Sequence, residues 1–270
     1  MSKTIQSLVW ITDPHLEFLP DDIEIVHFAK IVQDQPQDAV LITGDISDAQ
    51  RLGQALGTLA KNIKKQIFFV LGNHDRYGGS FSGVEEIVEQ TKSLFPNLVR
   101  LTGTEIVQLN KQVGLIGIDG WACGTGGLGR KTKVRVNDDH FIEDLRQLPS
   151  DETRFDLMFK LAQGYTEQLR PTLRTALSEY DQVIIATHVP PFVQATWHEG
   201  NVSGLDYLPL FSSPVMGEMI NEEAERFPQK TVRIYCGHTH SGGFFETANI
   251  KCWTGGARYY YPEIQGSISA

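Results

Sequence analysis

Five short groups of residues able to bind metals or move protons punctuate the chain. They are Asp13-Pro-His15, Gly44-Asp45-Ile-Ser-Asp48, Gly72-Asn73-His74-Asp75, Thr187-His188 and Gly237-His238-Thr-His240. Asp13, His15, Asp45, Asn73, His188, His238 and His240 together offer imidazoles, carboxylates and an amide oxygen, without thiolate. That mixture suits Mn, Fe, Zn, Ni or Co and is too rich in nitrogen for Ca or Mg. Seven donors exceed what one tetrahedral zinc takes, but they fit two adjacent ions sharing a carboxylate. A lone Asp-x-His or Gly-Asp is a common turn. Gly-Asn-His-Asp and Gly-His-x-His are more specific, and five separate turn or core explanations would be needed to replace one site.

Each group stands at or just past the end of an apolar run of strand length. Such runs occupy 7–11, 39–43, 66–71, 112–118, 182–187, 232–236 and 250–254. Most lack polar alternation, which predicts strands covered on both faces. Helical periodicity over 22–33, 47–62 and 83–94 separates the early runs, so βαβ crossovers and parallel pairing are expected. Residues at the carboxyl ends of parallel strands converge on one crevice. The i, i+2 pairs Asp13/His15 and His238/His240 would face one way in extended chain, and Gly44, Gly72 and Gly237 would permit sharp turns. Later in the chain, 105–109 and 112–118 flank a hairpin at Asn110-Lys111. Close spacing around Val232, Phe244 and Lys251 indicates an antiparallel or mixed second sheet. A helical stretch over 138–178 is expected to break near Leu148-Pro149 and at Pro171. Residues 189–214 read as a long irregular loop.

The ordered set of motifs, from residue 13 to 240, resembles the calcineurin-like metallophosphoesterases. The resemblance implies an α/β (α+β) fold, a four-layer α-β-β-α sandwich with two mixed sheets, as one domain over 1–270. It implies a dinuclear centre in which Asp13, His15 and His240 hold the first metal. Asn73, His188 and His238 would hold the second, and Asp45 would bridge. His74 matches the family's non-ligand catalytic histidine, and Asp75 would orient it through the far ring nitrogen; a turn or N-cap carboxylate is the other reading of Asp75. Asp48 is read either as a support of the site or as a helix cap. Two ions would acidify a bound water, the resulting hydroxide would attack phosphorus in line, and His74 would protonate the leaving oxygen.

The chain has 270 residues, with 24 Lys+Arg against 33 Asp+Glu, a net charge of −9. The apolar fraction of 41%, with 25 glycines besides, supports a sizeable core and excludes a disordered or collagen-like chain. The negative balance speaks against a coat for nucleic acid or anionic membrane. A small phosphate ester, such as a cyclic nucleotide or other diester, is therefore the expected partner, with nucleic acid and membrane disfavoured. A DNA-end nuclease of the same chemistry and a non-catalytic scaffold are the alternatives; the complete donor set and His74 count against the scaffold. Cys123, Cys236 and Cys252 lack Cys-x-x-Cys spacing and read as reduced thiols. The N-terminal apolar run is interrupted by Asp13, and no stretch approaches the ~18 apolar residues of a spanning helix, so a cytoplasmic protein is expected.

Gly124-Thr-Gly126-Gly-Leu-Gly129 matches G-x-G-x-x-G, but Arg130-Lys-Thr-Lys-Val-Arg-Val136 follows in place of a helix, so a flexible loop is expected. The loops 120–136 and 189–214 are the expected pocket walls. Arg130, Lys131, Lys133 and Arg135 read as solvated charges or anion contacts. Trp197, His198 and Glu199 are candidates for pocket lining, though an exposed histidine with no metal role is the favoured reading of His198, and Tyr259, Tyr260 and Tyr261 read as sheet packing or ring stacking.

Overall fold

Strands that lack polar alternation must be covered on both sides, and the computed structural model, which describes residues 4–270, shows what covers them. The first half runs β1 (Ser7–Ile11), α1 (Asp22–Gln33), β2 (Ala39–Thr43), α2 (Leu52–Asn62), β3 (Gln66–Val70), α3 (Phe81–Leu94), β4 (Leu98–Arg100), β5 (Val107–Gln108) and β6 (Val113–Ile118). It continues through α4 (Asp138–Phe141), α5 (Glu143–Arg146), α6 (Asp151–Glu179), β7 (Gln182–Thr187), β8 (Trp197–His198), β9 (Asn201–Val202), α7 (Leu208–Phe211) and α8 (Pro214–Glu225). The last strands are β10 (Thr231–Cys236), β11 (Gly243–Thr247), β12 (Ile250–Thr254) and β13 (Ile264–Ser269).

Two mixed sheets result. One has the order β13-β1-β2-β3-β4, parallel except for β13. The other has the order β11-β12-β10-β7-β6-β5, with antiparallel strands only at its two edges. Alternate residues of one strand serve different layers. Val9, Ile11, Val40 and Ile42 pack on Ile25, Phe28 and Leu56 of α1 and α2. Their neighbours Leu8, Trp10 and Leu41 meet Leu115, Ile184 and Tyr235 across the sheet–sheet interface. Ile116, Ile185 and Ile234 then bury the opposite face against Leu169, Leu173, Met216 and Ile220 of α6 and α8. The order is helix, sheet, sheet, helix, as the resemblance implied. Both sheets present the carboxyl ends of their parallel strands toward one rim.

Four expectations are corrected. Helix α2 starts at Leu52 because the N–H groups of Ile46 and Ser47 are taken by the Asp75 carboxylate and that of Ala49 by the Tyr77 carbonyl. Asp48 resolves as a turn former, its Oδ1 accepting from the Arg51 N–H at 2.9 Å. Helix α6 runs unbroken through Pro171, which is exposed. An interior proline costs about 3 kcal/mol, whereas burying Leu169, Leu173, Ala176 and Leu177 on α6 recovers more, at about 1.5–3 kcal/mol for each leucine. Residues 189–214 are not irregular: a 3-10 turn (Val193–Ala195), the β8–β9 hairpin and α7 divide them, and Val189, Phe192, Ala195, Leu208 and Leu210 are buried. Of the expected 105–109 strand only β5 pairs, through Val107 and Gln108. No helix among the described residues is long and apolar enough to cross a membrane.

Candidate metal centre

The strand ends bring all seven predicted donors to one place, though not in the extended geometry that i, i+2 spacing suggested. Asp13, His15, Asp45, His238 and His240 all have positive φ, between 44° and 73°. Asp and His enter this left-handed region more readily than bulky or β-branched residues. Such backbone conformations cost about 1–3 kcal/mol each, and they concentrate at functional sites. Of the motif glycines, Gly44 alone has positive φ, at 93°. Gly72 and Gly237 serve close approach: a methyl group on Gly72 would sit 2.7 Å from both the Asp45 amide and His188 Nε2, and one on Gly237 would strike the Asp13 carboxylate.

One half of the cluster comes from β1 and β10. His15 Nε2 lies 3.0 Å from His240 Nε2 and 3.8 Å from Asp45 Oδ2, while His240 Nε2 is 3.5 Å from Asp13 Oδ1. The donor atoms of these four residues lie within 4.8 Å of one another. The other half comes from β3, β7 and β10. Asn73 Oδ1 is 3.1 Å from His188 Nε2 and 2.9 Å from His238 Nδ1, and His188 Nε2 is 3.3 Å from Asp45 Oδ1. Donors about 2.1 Å from a common ion would stand ~3.0–3.4 Å apart; the His15–His240, Asn73–His188, Asn73–His238 and His188–Asp45 contacts lie at or near that spacing, while His240–Asp13 and His15–Asp45, at 3.5 and 3.8 Å, are wider.

Hydrogen bonds fix which atoms face inward. The Thr43 carbonyl accepts from His188 Nδ1 at 2.9 Å, and the Leu210 carbonyl from His238 Nε2 at 3.0 Å. Carbonyls only accept, so the protons belong on those outer nitrogens. The Asn73 amide donates Nδ2–H to Asp138 Oδ1 at 2.8 Å and to the Tyr77 hydroxyl at 3.2 Å, which turns Oδ1 toward the imidazoles. Asn73 Oδ1, His188 Nε2 and His238 Nδ1 are thus three acceptors aimed at one point. Only positive charge reconciles them. Burial alone would lower the His188 pKa, but the charge of Asp45, its hydrogen bond and Asp13 raise it to about 10. The same field would hold a metal ion, and this donor set fits one. The carboxylates are anchored too: Asp13 accepts from the His238 N–H and Asp45 from the His74 N–H at 2.8 Å.

His74 lines a cavity of about 280 Å³ beside these donors, with Tyr77, Asp138, His198, Phe211 and Tyr259 among its walls. Burial acts to lower its pKa, yet Asp45 and the hydrogen bond to Glu17 raise it to about 9. Asp75 does not orient it. The Asp75 oxygens are consumed by the N–H groups of Ile46, Ser47 and Gly72 at 2.7–3.0 Å, because the chain reverses between Gly72 and Asp75 and carries this carboxylate into the core. Glu17 stands where Asp75 was expected, 3.2 Å from His74 Nδ1. Its spacing from His15 repeats that of His15 from Asp13, a pattern the sequence reading passed over.

Asp119 was likewise missed. Buried just past β6, it accepts from the Leu71 N–H at 2.9 Å, Arg76 at 3.0 Å and Arg100 at 2.6 Å, tying the β3 end to the second sheet. Asp138 and Tyr77 give no signal in the sequence, since Asn73 and Asp138 are 65 residues apart. Of the basic cluster only Arg135 lines the cavity, and Arg130 pairs with Asp156. His198 lines the cavity and donates Nδ1–H to the Thr239 carbonyl at 3.2 Å, whereas Trp197 packs beside Gly243. Tyr259 contacts the rings of His15, His74 and His240.

No curated protein sequence matches the chain. Solved structures do. Phosphopantetheinyl hydrolase from Mycobacterium tuberculosis superposes with a TM-score of 0.66 at 12% identity, covering 95% of this chain and 91% of that one. A dimetal phosphatase from Danio rerio gives 0.60 at 12% identity, covering 96% and 90%. GAP50, the anchor in the inner membrane complex of Plasmodium, gives 0.51 at 12% identity, covering 99% and 76%. These likenesses establish the fold. The sequence model of the calcineurin-like phosphoesterases matches residues 7–242, a span containing every donor of the cluster, and the chain belongs to that family.

Proposed function

We propose that the protein hydrolyses a small phosphate ester at a dinuclear centre. Asp13, His15 and His240 would hold one ion, Asn73, His188 and His238 the other, and Asp45 both. The observation that carries the reading is the convergence of Asn73 Oδ1, His188 Nε2 and His238 Nδ1, with the outer atoms of all three side chains already engaged. When bound, two cations would polarise a phosphoryl oxygen and acidify a water. The chain's own residues supply the rest. With Nδ1 facing Glu17, His74 has Nε2 left for the cavity it lines, and the Glu17 carboxylate beside it favours the protonated ring. It is suited to give that proton to the leaving oxygen. Tyr77 and Asp138 hold the Asn73 amide, and Tyr259 and Phe211 give the cavity aromatic walls.

The cavity suits a small ester, such as a cyclic nucleotide or another diester, better than a nucleic acid duplex. Its lining includes Arg135 and Val136 at the end of 120–136, Asn137 and Asp138 just beyond it, and His198, Leu210 and Phe211 of 189–214. The −9 charge and a single cavity arginine, itself paired with Asp139 and Asp151, offer no track for a polyanion. The test is chelated protein reloaded with Mn, Fe, Zn, Ni or Co and assayed on aryl phosphate mono- and diesters, then cyclic nucleotides. Turnover that depends on two ions per chain is expected. Protein that binds both ions yet cleaves none of these esters would overturn the reading, and a steep salt dependence of DNA binding would redirect it to a nuclease.

A further inference from the structure

Glu17 lies on the 3-10 turn Leu16–Phe18, and its side chain is 8% exposed. Its Oε1 is 3.2 Å from His15 Nδ1 and 3.2 Å from His74 Nδ1. One oxygen therefore accepts from a residue of the donor cluster and from the histidine beside it. The two rings meet edge to face, centroids 4.4 Å apart at 72°. The other oxygen, Oε2, is buried and has no hydrogen-bond partner among the described residues. The turn itself is pinned: the Leu16 N–H donates to the Ile46 carbonyl at 2.9 Å, and Arg51 Nη1 donates to the Glu17 carbonyl at 2.9 Å.

A histidine ring is soft about χ2, with two broad orientations. Backbone position alone leaves both which nitrogen carries the proton and which faces the cavity undecided. An acceptor fixed at Nδ1 settles both, as carboxylate partners do for metal-bound imidazoles. A buried carboxylate with one bare oxygen is a poor stabilising device, because desolvation is incompletely offset. What the carboxylate contributes is therefore the contact its other oxygen makes with the two rings.

We propose that Glu17 is a positioning residue, a single acceptor that clamps the His15 and His74 rings in one mutual geometry and so sets the distance from the proton-donating histidine to the metal centre. The proposal rests on the phosphoesterase reading for its consequence, though the clamp itself is a property of the chain alone.

The experiment compares Glu17→Gln and Glu17→Leu. Glutamine keeps an oxygen able to accept from both rings, and leucine keeps the volume without an acceptor. In metal-free protein with ¹⁵N-labelled histidine, NMR should show two hydrogen-bonded imidazole N–H protons beyond those that His188, His238 and His198 give to carbonyls, assigned by their loss in His15→Asn and His74→Asn. Both should persist in Glu17→Gln and vanish in Glu17→Leu. With saturating Mn²⁺, Glu17→Leu should lower kcat about 10–100-fold with KM within about twofold, while Glu17→Gln stays within about threefold of wild type. Added to His74→Asn, Glu17→Leu should lower kcat by less than it does alone, since one of the two rings it positions is gone. The clamp is overturned if Glu17→Leu keeps both signals, if its kcat loss multiplies with that of His74→Asn, or if Glu17→Gln falls as far as Glu17→Leu. Should the NMR result hold while wild type turns over no ester, the clamp stands and the phosphoesterase reading fails.

Discussion

Gly72→Ala is the sharpest perturbation the site offers, because it adds one methyl group and removes no donor. The position is free of positive φ, so alanine brings no backbone penalty and the effect is steric. The added Cβ would lie 2.7 Å from His188 Nε2, where ordinary contact begins at 3.4 Å. At least 3.4 − 2.7 = 0.7 Å of movement is needed there. The Asp45 amide is equally near and Asp45 Oδ1 nearer still, so the neighbours cannot yield by turning aside a flexible side-chain end. Metal–ligand distances tolerate only about ±0.2 Å. A shift several times larger would separate Asp45 and His188 from an ion they are proposed to share. Overpacking of this kind costs about 1–3 kcal/mol of stability, which leaves the fold intact. Misplacement by an ångström in an active site lowers rate about 100-fold. The assay is elemental analysis after reloading with Mn²⁺ and gel filtration, with turnover of an aryl phosphodiester in parallel. Gly164→Ala is the control: it is exposed inside α6 with nothing within 4 Å of a new Cβ, and should stabilise by up to about 1 kcal/mol. If Gly72→Ala retains two ions per chain and turnover within tenfold of wild type, the tight backing of the centre plays no part in its chemistry.

Other outcomes follow from the same geometry. His74→Asn should lower kcat about 10²–10⁴-fold with metal still bound, whereas Asp45→Asn should lower metal occupancy itself; an emptied site in His74→Asn would break that division of labour. Asp119→Asn should cost about 1–3 kcal/mol by urea unfolding, since it removes the buried charge that faces Arg76 and Arg100 and leaves them the half-exposed Glu85. Burial would raise the Asp119 pKa, but Arg100 and Arg76 outweigh it and hold the carboxyl below its ordinary value. A depressed folded pKa gives stability that is present above the unfolded value of about 3.9 and lost as pH falls through the folded one. The melting temperature of wild type should therefore drop more steeply below about pH 4 than that of Asp119→Asn, and equal slopes would refute the pairing. Chelated protein should keep its far-ultraviolet circular dichroism, with Mn²⁺ at about 100 times Kd adding about 2.7 kcal/mol; unfolding on chelation would make the metal structural.

The strands were legible because burial on both faces leaves a plain signature: the runs at 7–11, 39–43, 182–187 and 250–254 are β1, β2, β7 and β12 to the residue. The residues that converge were legible because they are chemically distinctive and sit at strand ends. What supports them was not. Asp138 reaches Asn73 only through tertiary structure, and Asp119 ties two sheets through Arg76 and Arg100, which belong to no motif. The resemblance gave Asp75 the orienting role, but its hydrogen bonds fit the other reading, a turn carboxylate, because the turn points its side chain away from the His74 ring. Pro171 was misread because local propensity was weighed without the apolar face of α6.

The backbone at the donors explains why spacing rules mislead there. Extended chain would place Asp13 and His15 on one face of β1, but β1 ends at Ile11 and both residues have turned to positive φ. Each such turn opposes folding by about 1 kcal/mol or more, so something else must hold it. The hydrogen bonds that do so run between loops: the Asp13 N–H to the Gly44 carbonyl, the His15 N–H to the Asp45 carbonyl, the His238 N–H to the Asp13 carboxylate. Every loop is braced by a loop from a neighbouring strand, and the strands are fixed by apolar layers that contain no donor. Strain at the centre is therefore carried by the sheets and not by the ions. The donors can be held at coordination spacing before any metal arrives, and a single methyl at Gly72 can undo that spacing while the sheets stay in place.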